Sequence, residues 1–162
     1  LNQAIGQGSL QVTPLQVAVQ VAILANRGRG VVPHLLMSSS LSQGRTSGPA
    51  PGDAAAEKVR AEFFETVIRG MWKSVNEEGT GRGAKVDSFD VCGKTGSTQL
   101  ISRERAEKLG KQIKTHSWFA GFAPRDNPQV VVTVLVEYGG MGGATAAPLA
   151  KELFSLFREK HD

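Results

Sequence analysis

Apolar residues recur along this chain with two different periods. Leu15, Ala18, Val19, Ala22 and Leu24 follow Thr13-Pro14 at helical intervals. A hydroxyl residue before proline suits a helix start, because its oxygen can accept an orphan N–H and proline has no N–H to leave unpaired. Gly28 suits the close, so a first helix is predicted there. Val59, Phe63, Val67, Met71 and Val75 then return every four residues, with Phe64, Ile68 and Trp72 beside them, predicting a long core-facing helix. A last helix is predicted from Pro148, with Leu149, Leu153, Leu156 and Phe157 on its apolar face.

Between the second and last helices the period shortens. Residues 84–98 alternate short polar and β-branched side chains behind the turn Gly79-Thr80-Gly81-Arg82-Gly83. Ser117-Trp118-Phe119-Ala120-Gly121-Phe122 and residues 130–136 flank Pro124-Arg125-Asp126-Asn127-Pro128, the pattern of an antiparallel hairpin, and Gly139-Gly140-Met141-Gly142-Gly143 punctuates its end. Residues 31–36, interrupted by Pro33, suit an edge strand or an extended connector. The order is helix, loop, helix, three strands, helix. Without helical crossovers between strands, that order predicts an α+β fold in which helices flank an antiparallel sheet.

Two segments have nothing large to bury. Residues 38–53 are mostly Ser, Gly, Pro and Ala and are expected to form a mobile surface loop. The charged run 102–114 reads as a solvated excursion, with a gating loop as the alternative.

Composition narrows the possible roles. With 162 residues, 40% of them hydrophobic, the chain is one domain in size and can bury a core. It starts at Leu1-Asn2-Gln3 without an initiator Met or an apolar leader-like run, and is expected to be a piece of a longer protein. No stretch reaches the roughly 18 apolar residues that a membrane span needs. The net charge of +4 comes from scattered Lys and Arg, so no nucleic-acid partner is expected. One cysteine, Cys92, excludes an intrachain disulfide, and His34, His116 and His161 show no ligand spacing. Neither a metal nor another cofactor is expected.

Gly93-Lys94-Thr95-Gly96-Ser97 concentrates a cation, two hydroxyls and two glycines on a predicted strand. A phosphate-binding loop would need a further glycine where Ser88 stands, and Phe89-Asp90-Val91 is apolar and extended instead. The other chemistry is the Lys-Thr-Gly element of serine penicillin-recognising enzymes, which borders the active-site groove. There Gly96 lets a substrate backbone approach, Thr95 and Ser97 hold a substrate carboxylate, and Lys94 supplies positive potential. The Ser97 backbone N–H is then placed to donate to a developing oxyanion.

The flanks extend the match. Ala4-Ile5-Gly6-Gln7-Gly8, Val12-Thr13-Pro14-Leu15-Gln16, Asn26-Arg27-Gly28 and Pro33-His34-Leu35 occur in order, followed by Gly70-Met71 and Glu78-Gly79-Thr80-Gly81. After Gly93-Lys94-Thr95-Gly96-Ser97-Thr98-Gln99 come Trp118-Phe119-Ala120-Gly121-Phe122-Ala123-Pro124, Glu137 and Ala146-Ala147-Pro148. Together these resemble the class B high-molecular-mass penicillin-binding proteins, the elongation and division transpeptidases, over nearly the whole chain.

The resemblance implies the C-terminal portion of a single β-lactamase/transpeptidase-like domain, residues 1–162, with the last three strands and the C-terminal helix. It implies serine acyl transfer: attack on the D-Ala-D-Ala amide of a peptidoglycan stem peptide, passage of the acyl group to a neighbouring amine, and capture of β-lactams as mimics. It further implies the extracytoplasmic face of the bacterial cytoplasmic membrane, through an anchor absent here. The family's nucleophile lies in Ser-x-x-Lys, and no serine of this chain has lysine three residues on. The chain alone is therefore expected to be inactive, to need the missing N-terminal part of its domain as partner, and to expose an unpaired strand edge and an apolar face.

Some residues have competing readings. Ser74-Val75-Asn76 matches the family's Ser-x-Asn string but lies at a helix end, which favours a terminus over catalysis. Cys92 shares a strand face with Lys94, either as a reactive thiol or as a small buried group, the commoner case. His116 and Trp118 fit strand packing. A β-lactamase or penicillin-sensing receptor of the same fold, a degenerate nucleotide-binding domain with Lys94 at a strand-to-helix turn, and a non-catalytic interaction module are the alternative functions.

Overall fold

A computed structural model describes residues 11–34, 60–99, 108, 110 and 114–161. Helix α1, Pro14–Ala25, opens on a reciprocal capping box: Thr13 Oγ1 accepts the Gln16 N–H at 3.2 Å and Gln16 Oε1 accepts the Thr13 N–H at 2.8 Å. It closes where Gly28, at φ +99°, donates its N–H to Ile23 O at 2.8 Å. Helices α2, Ala61–Asn76, and α3, Ala146–His161, and strands β1, Cys92–Gln99, β2, Thr115–Ala123, and β3, Val130–Val136, complete the order.

The three strands form an antiparallel sheet in the order β1-β2-β3, as expected for the α+β class. Lys94 stands opposite Ala120, Gly96 opposite Trp118 and Ser97 opposite Ser117, while Val132 stands opposite Gly121. Alternation divides the side chains between two faces. On one, Phe119 and Val132 pack under Ala147, Ala150 and Phe154 of α3, and the Phe119 and Phe154 rings meet edge to face at 6.5 Å. On the other, Cys92 and Phe122 pack with Val21 and Ala25 of α1 and Ile68 and Met71 of α2. Each large side chain buried this way contributes about 1.5–3 kcal/mol, which clamps helices to both faces.

Several boundaries and faces differ from expectation. The strand read over 84–98 begins only at Cys92; a 3₁₀ turn at Arg82–Ala84 and a single bridge between Val86 and Phe89 precede it, with Ser88 at φ +63°. Residues 31–34 form a connector without strand pairing. On α1 the buried residues are Val21 and Ala25, and Leu15 is 59% exposed. On α2 only Ile68, Met71 and Val75 are buried, while Phe63 and Val67 are exposed, because only the C-terminal half of the helix lies against the sheet cluster.

Helix α3 starts at Ala146, two residues before Pro148, whose missing N–H falls among first-turn donors that have no intrahelical partner. Its buried face is Ala146, Ala147, Ala150 and Phe154, whereas Leu149, Leu153 and Leu156 are exposed. Small alanines let the helix axis approach the sheet and the 3₁₀ turn closely; bulky leucines would hold it off. The segment Gly6-Gln7-Gly8, the loop at 38–53, Val59 and most of the charged run 102–114 lie outside the described residues.

Candidate active site

Strand β1 is an edge: among the described residues it pairs only with β2. Lys94, Thr95 and Gly96 line a cavity of about 790 Å³. Val17, Val21 and Leu24 of α1 and Val67 and Met71 of α2 form its apolar walls, and Trp118 and Ala120 of β2 also line it. The tripeptide thus sits on the rim of an open apolar cleft, on an antiparallel strand. A phosphate-binding lysine would instead occupy a turn into a helix N-terminus, so the nucleotide alternative loses the geometry it requires.

The strand's pleat sorts the polar groups. Lys94, Gly96 and Thr98 face the cavity side with Ala120 and Trp118, while Thr95 and Ser97 leave the strand on the other side with Phe119 and Ser117, Thr95 still reaching the cavity at the strand's edge. Lys94 is exposed, and its Nζ donates to Thr95 O at 2.7 Å. Ser97 itself is exposed beside the cavity rather than among its lining residues. A side chain at Gly96 would be tight, since its Cβ would lie 3.2 Å from Trp118 Cβ and the tryptophan would have to yield by a few tenths of an ångström.

Hydroxyls secure this edge from behind. Thr95 Oγ1 lies 2.8 Å from Thr80 Oγ1, and Ser97 Oγ accepts the Gly142 N–H at 3.1 Å. Gly142 presses on the two strands so closely that a Cβ would come within 2.5 Å of Gly96 O and Trp118 O. The wholly buried Ser117 accepts the Ala146 N–H at 3.1 Å and donates to Met141 O at 3.2 Å. The glycine cluster, read from sequence as punctuation, is therefore bolted to the strand that carries Lys-Thr-Gly.

The remaining candidates fall into place around it. Asn76 Nδ2 donates to Trp72 O at 2.9 Å and to Val91 O at 2.8 Å, tying the end of α2 to the approach of β1. Ser74, two residues back, lines the cavity. Cys92 lies on the Lys94 side of the strand but within the buried cluster, and burial pushes its thiol up to about 12. It is an inert packing group. Trp118 Nε1 donates to Thr98 Oγ1 at 3.1 Å, and His116 Nδ1 accepts the Tyr138 N–H at 3.1 Å, both strand-end contacts. Among the described residues no group of three or more His, Cys, Asp and Glu could hold a metal ion, and no helix is long and apolar enough to cross a membrane.

Sequence reasoning singled out Lys94, Thr95 and Gly96, which line the cavity, and Ser97, which does not, and passed over Thr80, Gly142 and Ser117. Thr80 was visible only as part of a glycine turn, and Ser117 only as a polar residue in an apolar strand.

Comparison with known proteins identifies relatives of this fold. Residues 1–155 match the family model described as the penicillin binding protein transpeptidase domain. The peptidoglycan D,D-transpeptidase MrdA of Haemophilus influenzae is 38% identical over 169 residues, an alignment covering 97% of this chain and 25% of that protein. MrdA of Acinetobacter baumannii is 35% identical over 162 residues, covering 97% of this chain and 24% of that protein. The crystal structure of Pseudomonas aeruginosa PBP2 in complex with WCK 5153 superposes with a TM-score of 0.76 at 31% identity, over 96% of this chain and 31% of that one. The chain thus spans about a quarter of the length of these curated relatives.

Proposed function

Since this chain belongs to the penicillin-binding protein transpeptidase domain family, we propose that it forms the substrate-binding wall of a serine D,D-transpeptidase, residues 1–162 being the C-terminal portion of that domain. The observation that carries the reading is the position of Lys94-Thr95-Gly96 on a strand edge beside an apolar cleft. An extended stem peptide ending in D-Ala-D-Ala lies along that edge. Its terminal carboxylate meets the hydroxyls of Thr95 and Ser97 in the field of Lys94, where hydrogen bonds to an anion are about twice as strong as neutral ones. The Ser97 N–H donates to the oxygen that becomes negative as the scissile carbonyl turns tetrahedral.

The attacking hydroxyl comes from polypeptide outside this chain, in which no serine has lysine three residues on. Attack on the amide carbonyl expels D-Ala as an amine and leaves an ester, which a neighbouring stem's amine then cleaves. A β-lactam enters by the same carboxylate and carbonyl contacts. The elongation-type assignment is supported by the matched MrdA proteins, and the extracytoplasmic face of the cytoplasmic membrane is the matching location, since stem peptides are cross-linked there. The partner is the rest of the same domain, which pairs the edge of β3 that is unpaired among the described residues and brings the nucleophile to the cleft.

Labelling with a fluorescent penicillin tests the proposal. The full-length protein is expected to take up covalent label and this chain alone to take up none. Label on the isolated chain would place the nucleophile inside it, and an unlabelled full-length protein would defeat the transpeptidase reading.

A further inference from the structure

The Thr80 hydroxyl lies 2.8 Å from the Thr95 hydroxyl, although the two residues belong to different elements. The turn that carries Thr80 is held by backbone contacts. Gly81 donates its N–H to Ser74 O at 3.0 Å, Ala84 donates to Gly81 O at 2.9 Å, and Gly143 sits where a Cβ would come within 2.5 Å of Thr80 O. The side chain of Thr80 is exposed and is not needed to make this turn. Its hydroxyl is left with one described use, the contact with Thr95.

We infer that Thr80 is a positioning residue for the substrate carboxylate, acting through Thr95; this rests on the transpeptidase reading above. A hydroxyl has one proton to donate and two lone pairs to accept with. If Thr95 spends its proton on Thr80, it can offer a carboxylate only lone pairs, which repel it. If Thr80 donates instead, the Thr95 oxygen is satisfied and its proton is free to point at the anion. A bound carboxylate therefore selects one direction for the pair, Thr80 to Thr95 to ligand. Donation from Thr80 also polarises the Thr95 O–H, since chained hydrogen bonds strengthen one another. Valine at position 80 keeps the shape and removes the donor.

The test uses the full-length protein and measures the second-order rate of acylation by benzylpenicillin and by its methyl ester, which lacks the anionic carboxylate. Thr80→Val is expected to slow acylation by the free acid about tenfold, the usual loss for one hydrogen bond to a charged chain, and by the ester about twofold or less. Thr80→Ser restores the rate. The double variant with Thr95→Val is expected to be no slower than Thr95→Val alone, because Thr80 acts only through that hydroxyl. Equal slowing with acid and ester, additive losses in the double variant, or an unchanged Thr80→Val rate would each overturn the inference while leaving the transpeptidase reading intact. A wild-type protein that no penicillin acylates would overturn that reading first, and this inference with it.

Discussion

Replacing Ser117 by alanine removes one oxygen from a site with no access to water. Ser117 and Ala146 are both fully buried, and Ser117 Oγ accepts the Ala146 N–H at 3.1 Å. Ala146 is the first residue of α3, so its N–H is one of the donors that the helix itself cannot satisfy. The partner Met141 O loses less, since it also accepts the Ala144 and Thr145 N–H groups at 3.1 and 3.2 Å. The cost is then that of one stranded buried donor, about 1–3 kcal/mol. Hydrogen exchange in the full-length protein reads this locally: the amides of residues 139–150 are expected to exchange ~5- to 150-fold faster in Ser117→Ala. Thr66→Ala is the control. It removes a hydroxyl whose bond, to Glu62 O at 2.8 Å, lies on an exposed helix face where water can replace it, so the change is expected to stay within about 0.5 kcal/mol. Unchanged exchange in Ser117→Ala, or equal acceleration in the two variants, would refute the claim that the buried hydroxyl fastens the glycine loop and α3 to the sheet.

Two further outcomes follow from the same geometry. Burial raises the Cys92 thiol from 9.0 to about 12, so the folded state keeps a proton that the unfolded chain releases above pH 9. Stability carried by this group is complete below pH 9 and falls as pH rises toward 12. Comparing urea midpoints of wild type and Cys92→Ala between pH 9 and 11 should show a shallower decline in the variant, by up to about 1.4 kcal/mol per pH unit, and parallel slopes would contradict the shift. Asn76→Ala removes the donor to Trp72 O and Val91 O, and is expected to lower stability by about 1–2 kcal/mol while leaving penicillin acylation per folded molecule unchanged. A tenfold or greater loss of acylation at equal folded fraction would give Asn76 a catalytic part that its contacts do not suggest.

The elements were legible because their signals are local. Thr13 and Gln16 cap α1 within four residues, and the β-branched run of β3 flanks a proline-rich turn that cannot continue a strand. Which side of each helix is buried was not legible in the same way. Periodicity reports that Leu149, Leu153 and Leu156 share a face, yet the alanines beside them are what the sheet accepts, because the sheet-facing side is chosen by how closely two backbones can approach. Val12 and Val67 are exposed and line the cleft. Under the proposed function these apolar groups meet the remainder of the domain, so the stripes describe an intact protein more faithfully than they describe this chain.

The site divides along the same line. Lys94, Thr95 and Gly96 stand in one tripeptide, and their chemistry shows in the string because no folding is needed to bring them together. The groups that hold them do not: Thr80 reaches Thr95 across 15 residues, Ala146 reaches Ser117 across 29 and Gly142 reaches Ser97 across 45. Each pairing joins a strand to a turn, a loop or a helix start, and each uses a Ser or Thr hydroxyl whose role depends on what the fold brings opposite it. A strand edge that must meet an anionic ligand gains nothing from its own sequence if its hydroxyl protons point the wrong way. Under the proposed function these distant partners set that direction, so the tripeptide could be read from five residues and its hydrogen-bond partners only from the folded chain.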